Sequence, residues 1–196
     1  LSASDAVGID RVEIHVFGYN FSAIYSASSG YFEFKSVTSM RSDGNYSCYA
    51  IAYDKSGKTN TSKTINFQVD NNAPEMSVND LQNGDYINGS VLFNLTVSDV
   101  FLSGVHYAID GGTWISIDNS WNSEDYLDGG HKITFRARDY AGYTTTQTVD
   151  VIVDNTLPIC AVNSPVDGEF LQGYYSFRLS ASDAVGIDRV EIHVFG

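Results

Sequence analysis

Apolar and polar residues alternate through most of this chain. Over residues 91–98, Val91, Phe93, Leu95 and Val97 are set against Leu92, Asn94, Thr96 and Ser98. In "RVEIHVFG", Val12, Ile14 and Val16 share one side, with Glu13 and His15 on the other. In "HKITFRARD", Ile133, Phe135 and Ala137 oppose Thr134, Arg136 and Arg138; "TINFQVD" and "TVDVIVD" follow the same rule. A period of two puts successive side chains on opposite faces of a pleated strand, so each run predicts a strand with one buried face. Turn signals separate the runs: "NGD", "DGG" twice, "DYAG". No segment carries a helical period.

The pattern repeats on two scales. Residues 1–18, "LSASDAVGIDRVEIHVFG", are identical to residues 179–196, a period of 178 residues. Diverged ancestral repeats would have drifted, so this identity points to tandem, near-identical units in a longer protein. A weaker repeat lies inside the period. "VDNNAP" (69–74) answers "VDNTLP" (153–158) at a shift of 84, and Gly84/Gly168, Gly89/Gly173, Phe93/Phe177, Leu95/Leu179 and Asp99/Asp183 keep that shift. "DG" at 43–44 answers "DG" at 128–129, and "AYDKSG" answers "ARDYAG". Three segments result. Residues 71–154 form a complete module. Residues 1–70 are the C-terminal part of a longer module, completed by the preceding repeat. Residues 155–196 are the N-terminal part of one, completed by the following repeat. About seven short strands per module, separated by such turns, predict a two-sheet antiparallel sandwich.

The segments "VDNTLPICAVNSPVDGEFLQGYYSFRLSASDAVGIDRVEIHV" and "DGNYSCYAIAYDKSGKTNTSKTINFQVDN" resemble the immunoglobulin-like repeats of bacterial and archaeal cell-surface proteins. The likeness lies in a "DNTxP" start, an "SPxxG" turn, a "DxxGIxxVE" passage, a "DG…AxDxxG" approach and a "VDN" exit strand. It covers essentially the whole chain. It implies an all-β fold of tandem immunoglobulin-like antiparallel β-sandwiches. It specifies function poorly, because such modules serve adhesins, fibres, surface layers and enzyme appendages.

Aligning the two modules puts Cys160 opposite Met76 and Cys48 opposite Ile133, both inward apolar positions. Two readings stay open: a pair of buried thiols, or a disulfide joining Cys160 to Cys48 of the next repeat. The disulfide would close a loop of about 60–70 residues and contribute ~2–4 kcal/mol. It would also suit an exported protein.

The resemblance also gathers acidic loops at one end of each sandwich. For the complete module these are Asp70, Asp99 and Asp139; for the longer one, Asp154, Asp183 (or Asp5) and Asp54. Related surface repeats, and by looser analogy cadherin linkers, bind calcium at this junction, and six to eight oxygens would be needed. The competing reading is that these aspartates cap turns.

Charge narrows the picture. Against 24 acidic residues stand 11 basic ones, a net charge of −13. Such a surface repels nucleic acid and anionic membrane and suits divalent cations. No run of apolar residues is long enough to insert in a membrane. Five N-x-S/T sequons, at Asn20, Asn45, Asn60, Asn88 and Asn94, are candidate glycosylation sites. If Cys48 and Ala50 face inward, Tyr49, Ile51 and Tyr53 form an outward row, either a lateral contact with a neighbouring module or cross-strand packing. The four histidines lack a nucleophile at suggestive spacing, and no HExxH, GxSxG or phosphate loop occurs. No enzyme is expected.

The expectation is therefore a structural repeat of an extracellular filament or cell-surface stalk, exported, with calcium as the one candidate cofactor. Its partners would be tandem copies of itself. The alternative is a carbohydrate- or partner-binding adhesin repeat, in which Trp114, Trp121 and exposed tyrosines would meet a surface glycan.

Overall fold

The computed structural model describes residues 3–4, 8–118 and 120–195. The described residues are all-β; their only helical pieces are single 3₁₀ turns at Thr38–Met40 and Ser123–Asp125. The chain divides into two compact units, Leu1–Ala73 with Asp99–Phe101, and Pro74–Ser98 with Leu102–Gly196.

The first unit is one antiparallel sheet. It comprises β1 (Ile9–Val16), β2 (Tyr19–Ser26), β3 (Tyr31–Glu33), β4 (Gly44–Asp54), β5 (Thr59–Thr61) and β6 (Ile65–Val69). The order is β3-β2-β1-β4, and β5 and β6 share the far edge of β4. The alternation in β1 is realised at Val12 and Val16, which are buried, with Val12 packing on Ala23 and Ala50; Ile14 between them is half-buried, like Glu13 and His15.

The second unit comprises β7 (Glu75–Val78), β8 (Tyr86–Ile87), β9 (Ser90–Val91), β10 (Leu95–Ser98), β11 (Leu102–Ile109), β12 (Ile115–Ser116), β13 (Trp121–Asn122), β14 (Gly129–Asp139), β15 (Thr144–Val153), β16 (Ile159–Ser164) and β17 (Arg178–Ser182). One sheet runs β12-β11-β14-β15-β8, with β8 the parallel addition at its edge. The ladders β7-β10 and β9-β13 supply the other layer of an immunoglobulin-like sandwich. Met76, Ile87, Tyr107, Ile133, Phe135 and Val151 meet in its core. The run at 91–98 is not one strand. It splits into β9 and β10, which pair with different partners, so Val91 and Leu95 serve two ladders.

The internal repeat is a repeat of geometry. The 11-residue strands β4 and β14 correspond, as do β6 and the end of β15. A β-bulge lies between Ile9 and Arg11 in β1, opposite the end of β4, and another between Leu102 and Gly104 in β11, opposite the end of β14. β16 pairs with β17 in the register of β7 with β10: Cys160 faces Ala181 as Met76 faces Val97.

Candidate cation sites and the linker clamp

Each "VDN" linker opens with an aspartate and is held by the asparagine that follows. In the first unit the Asn71 backbone N–H donates to Asp43 Oδ1 at 2.7 Å. The Asn71 side-chain amide donates to the carbonyls of Thr38 and Arg41 at 3.0 and 3.1 Å. In the second unit Asn155 N–H donates to Asp128 Oδ1 at 2.7 Å, and its amide donates to the carbonyls of Ser123 and Tyr126 at 2.9 and 3.5 Å. Asn155 Oδ1 also accepts from the buried Ser123 hydroxyl at 3.0 Å. The Thr156 hydroxyl bonds Asp128 Oδ2; this bond and the Asn155 N–H hold the Asp128 carboxyl below the ordinary aspartate range. The clamp ties the outgoing chain to the 3₁₀ turn and the "DG" that opens β4 or β14. Sequence reasoning noted "VDN" and "DG" as repeats without joining them, because the bond crosses 27 or 28 residues.

Four of the candidate cation ligands, Asp54, Asp99, Asp139 and Asp183, cap turns through Oδ1. Asp99 Oδ1 accepts from Phe101 N–H at 2.7 Å. Asp183, its counterpart, accepts from Val185 and Gly186 N–H at 2.8 and 3.1 Å. Asp139 Oδ1 accepts from Gly142 and Tyr143 N–H at 2.6 and 2.8 Å. Asp54 Oδ1 accepts from Ser56 and Lys58 N–H, each at 2.8 Å, and the Ser56 hydroxyl bonds both its oxygens. The Ser56 hydroxyl first, opposed by burial and aided by these N–H groups, lowers the pKa of Asp54.

Second oxygens are left over. Oδ2 of Asp139, Oδ2 of Asp183 and Oδ1 of Asp154 are buried without a hydrogen-bond partner. In the first unit, carboxylate oxygens of Asp70 and Asp99 lie within 4.8 Å of one another. In the second, burial first, then the charges of Asp183 and Asp128, push the pKa of Asp154 up. Crowded, partly dehydrated carboxylates of this kind fit a hard divalent cation, which would supply the missing positive charge. Asp5 lies outside the described residues.

Both cysteines are free; Cys48 is half-buried and Cys160 exposed. Tyr49, Ile51 and Tyr53 do lie on the face opposite Ala50, half-buried beside their cross-strand neighbours on β1. His15 stacks on Tyr49 at 4.5 Å, Arg11 sits 3.6 Å over the Tyr53 ring, and Ile51 pairs with Glu13. Trp121 is a core residue at 3% exposure, while Trp114 is exposed with the Arg136 guanidinium 4.0 Å over its ring. The two tryptophans therefore do not form a joint sugar platform. All five sequon asparagines, Asn20, Asn45, Asn60, Asn88 and Asn94, are exposed.

No family model matches the chain, and no curated protein matches it. Solved structures of similar shape exist. One is the endo-beta-1,4-mannanase from Thermotoga petrophila, 14% identical over 44% of this chain and 21% of that one, with a TM-score of 0.39. Fibronectin(III)-like modules of Clostridium thermocellum CbhA match at 19% identity over 78% of this chain and 82% of theirs, TM-score 0.41. A tetra-tandem repeat in the extending region of a large adhesion protein matches at 18% over 80% and 45%, TM-score 0.34. The chain thus spans about a fifth of the mannanase and under half of the adhesion-protein fragment. Fibronectin-like, cadherin and adhesin-repeat domains make up most of these neighbours, and likeness at this level describes architecture alone. No helix among the described residues is long and apolar enough to cross a membrane.

Proposed function

We propose that this chain is a structural repeat of an extracellular filament or cell-surface stalk, built from near-identical 178-residue, two-module units. One observation carries the reading. The same eighteen residues occur twice, and their later part, residues 9–16 and its counterpart, is placed differently in the two copies. In β1 they pair with β2 and β4, and Val12 and Val16 are 2% and 6% exposed. At 188–195 they form no strand, and the corresponding Val190 and Val194 are 43% and 72% exposed. What differs is the presence of partner strands, and a following copy of 19–70 would supply them. Such an array is quasi-one-dimensional, each module stabilised by itself and its junctions.

Within it, calcium at each junction would stiffen the thread. Asp70, Asp99 and Asp139 would serve one joint; Asp154, Asp183 (or Asp5) and Asp54 would serve the next. Buried, unpartnered oxygens on Asp139, Asp154 and Asp183 support this. Cys160 would bond Cys48 of the next repeat, sequon glycans would stand on exposed faces, and the Tyr49-Ile51-Tyr53 row would meet a neighbouring module. The glycan-binding alternative loses support with the burial of Trp121. The deciding experiment is the mass of the native polypeptide under denaturing conditions. A very large chain is expected. A native chain of about this length, living as a compact solitary molecule, would overturn the reading.

A further inference from the structure

We propose that residues 155–178 of one copy of this chain dock on the first unit of a second copy. Residues 159–162 would cover the inner face of β4 and β6, and Phe170 and Leu171 would add in parallel to the outer edge of β6. The inference deepens the repeat reading and rests on it; what it adds is the interface and its polarity.

The second unit shows what such a sheet requires. There β7 lies over the β14-β15 face, with Met76 buried in the core beside Ile133 and Val149. The Gln147 side chain fixes it, donating to the Met76 carbonyl at 2.8 Å and accepting from Val78 N–H at 3.3 Å. Then β8 closes the edge of β15: Ile152 N–H donates to the Asp85 carbonyl and Asp154 N–H to the Ile87 carbonyl, both at 2.9 Å.

The first unit has the same sheet without that cover. Ile65, the counterpart of Val149, is 59% exposed where Val149 is 7%. Among the described residues β6 pairs only with β4, so its outer edge carries no strand. A groove of about 490 Å³ opens beside Val12, Ala50 and Ala52. Residues 155–178 have the complementary defect. Cys160 and Val162 occupy the places of Met76 and Val78 and are exposed, and Leu171, in the place of the buried Ile87, is partly exposed. An uncovered sheet face, a free edge and a segment of matching register are the two halves of one sandwich. Groove and segment are different surfaces, so the contact is head-to-tail and propagates. Residues 159–164 pair with Arg178–Ser182 in their own copy and on docking exchange that partner for residues 3–4 of the second copy, where Ala3 already packs beside Val12 and Ala50, so the resident β1 keeps its place between β2 and β4.

Sedimentation velocity of the 196-residue chain under reducing conditions tests this. The wild type should form oligomers that lengthen with concentration. Ile65→Asp, which spoils the uncovered face of β6, and Leu171→Asp, which spoils the segment, should each give monomers. An equimolar mixture of the two should give dimers and nothing longer, since one competent sheet face and one competent segment remain. A wild type monomeric at all concentrations, variants that assemble like wild type, or a mixture that stays monomeric would overturn the proposal. So would displacement of β1 by an incoming 179–196, seen as lost amide protection in residues 9–16. Should a variant misfold, oxidised wild type decides: an interchain Cys48–Cys160 ladder supports docking, and its absence refutes it. None of these failures would touch the repeat reading, which the mass of the native polypeptide tests separately.

Discussion

Asn155 donates its backbone N–H to Asp128 at 2.7 Å, and Asn71 makes the same bond to Asp43 at the same distance. Both asparagines also turn their amides onto the carbonyls of a 3₁₀ turn. A linker held this way has its backbone bonded before the next strand begins. The clamp, not the aspartate before it, is what the two junctions demonstrably share.

Removing the clamp should cost stability in the unit that contains it. Asn155→Ala strands the buried Ser123 hydroxyl and two carbonyls, a loss of about 1–3 kcal/mol. Urea unfolding should show the midpoint falling with an unchanged slope. Asn71→Ala should act likewise on the first unit, with no matching buried serine to strand. A neutral Asn155→Ala would mean that solvent satisfies these groups equally well.

The same clamp should give way in acid. Asp128 has a folded pKa below its unfolded value, so its stabilising contribution is complete above about 3.9 and is lost as pH falls through the folded value. Asp128→Asn should flatten that part of a stability profile against pH while leaving neutral stability lower than wild type.

His131 runs in the opposite sense. Burial alone would lower its pKa, but Asp110 Oδ2 at 2.7 Å and the Leu127 carbonyl at 2.8 Å accept from its two ring nitrogens, and the net shift is upward. A group raised on folding stabilises fully below its unfolded pKa, about 6.5, and loses that contribution as pH rises through the folded value. The imidazole resonances should therefore titrate above 6.5 in the folded chain. Titration below that value would mean the Asp110 pairing does not hold in solution.

Calcium should be most visible at Asp154. Its raised pKa means that, without a cation, folding becomes less favourable as pH rises from about 3.9 through the folded value. A cation should reverse that penalty and add about 2.7 kcal/mol at a hundredfold excess over Kd. Melting at pH 7 with calcium or a chelator should differ in wild type, and less so in Asp183→Asn. Identical melts would leave these carboxylates as turn caps.

Much of this was legible in the sequence where the physics is local. Alternation placed Val12, Val16, Ile133, Phe135 and Ala137 inward, and all five are buried. The shift of 84 residues anticipated the register of β16 on β17. What stayed hidden depends on register between distant strands. Tyr49, Ile51 and Tyr53 read as an outward row, open either to a neighbouring module or to cross-strand packing; only the register of β1 shows that His15, Glu13 and Arg11 stand beside them. The switch of partner between Val91 and Leu95 leaves no mark on alternation, since both residues keep one face inward across the break.

The asymmetry between the two sheets gives a last, context-dependent expectation. Phe135 is fully buried, so Phe135→Ala should cost about 3–5 kcal/mol in any length of chain. Ile65, on the strand that corresponds to β15, is largely exposed, so Ile65→Ala in this chain, diluted below the concentration at which copies associate, should stay within about 0.5 kcal/mol of wild type. In a chain carrying two full 178-residue periods, the Ile65 of the second period would be covered by the preceding 155–178. There the same substitution should cost about 2–5 kcal/mol. Denaturant unfolding of both lengths measures the difference directly. An Ile65→Ala effect that ignores chain length would show that the first sheet stays open even when its complement is covalently at hand.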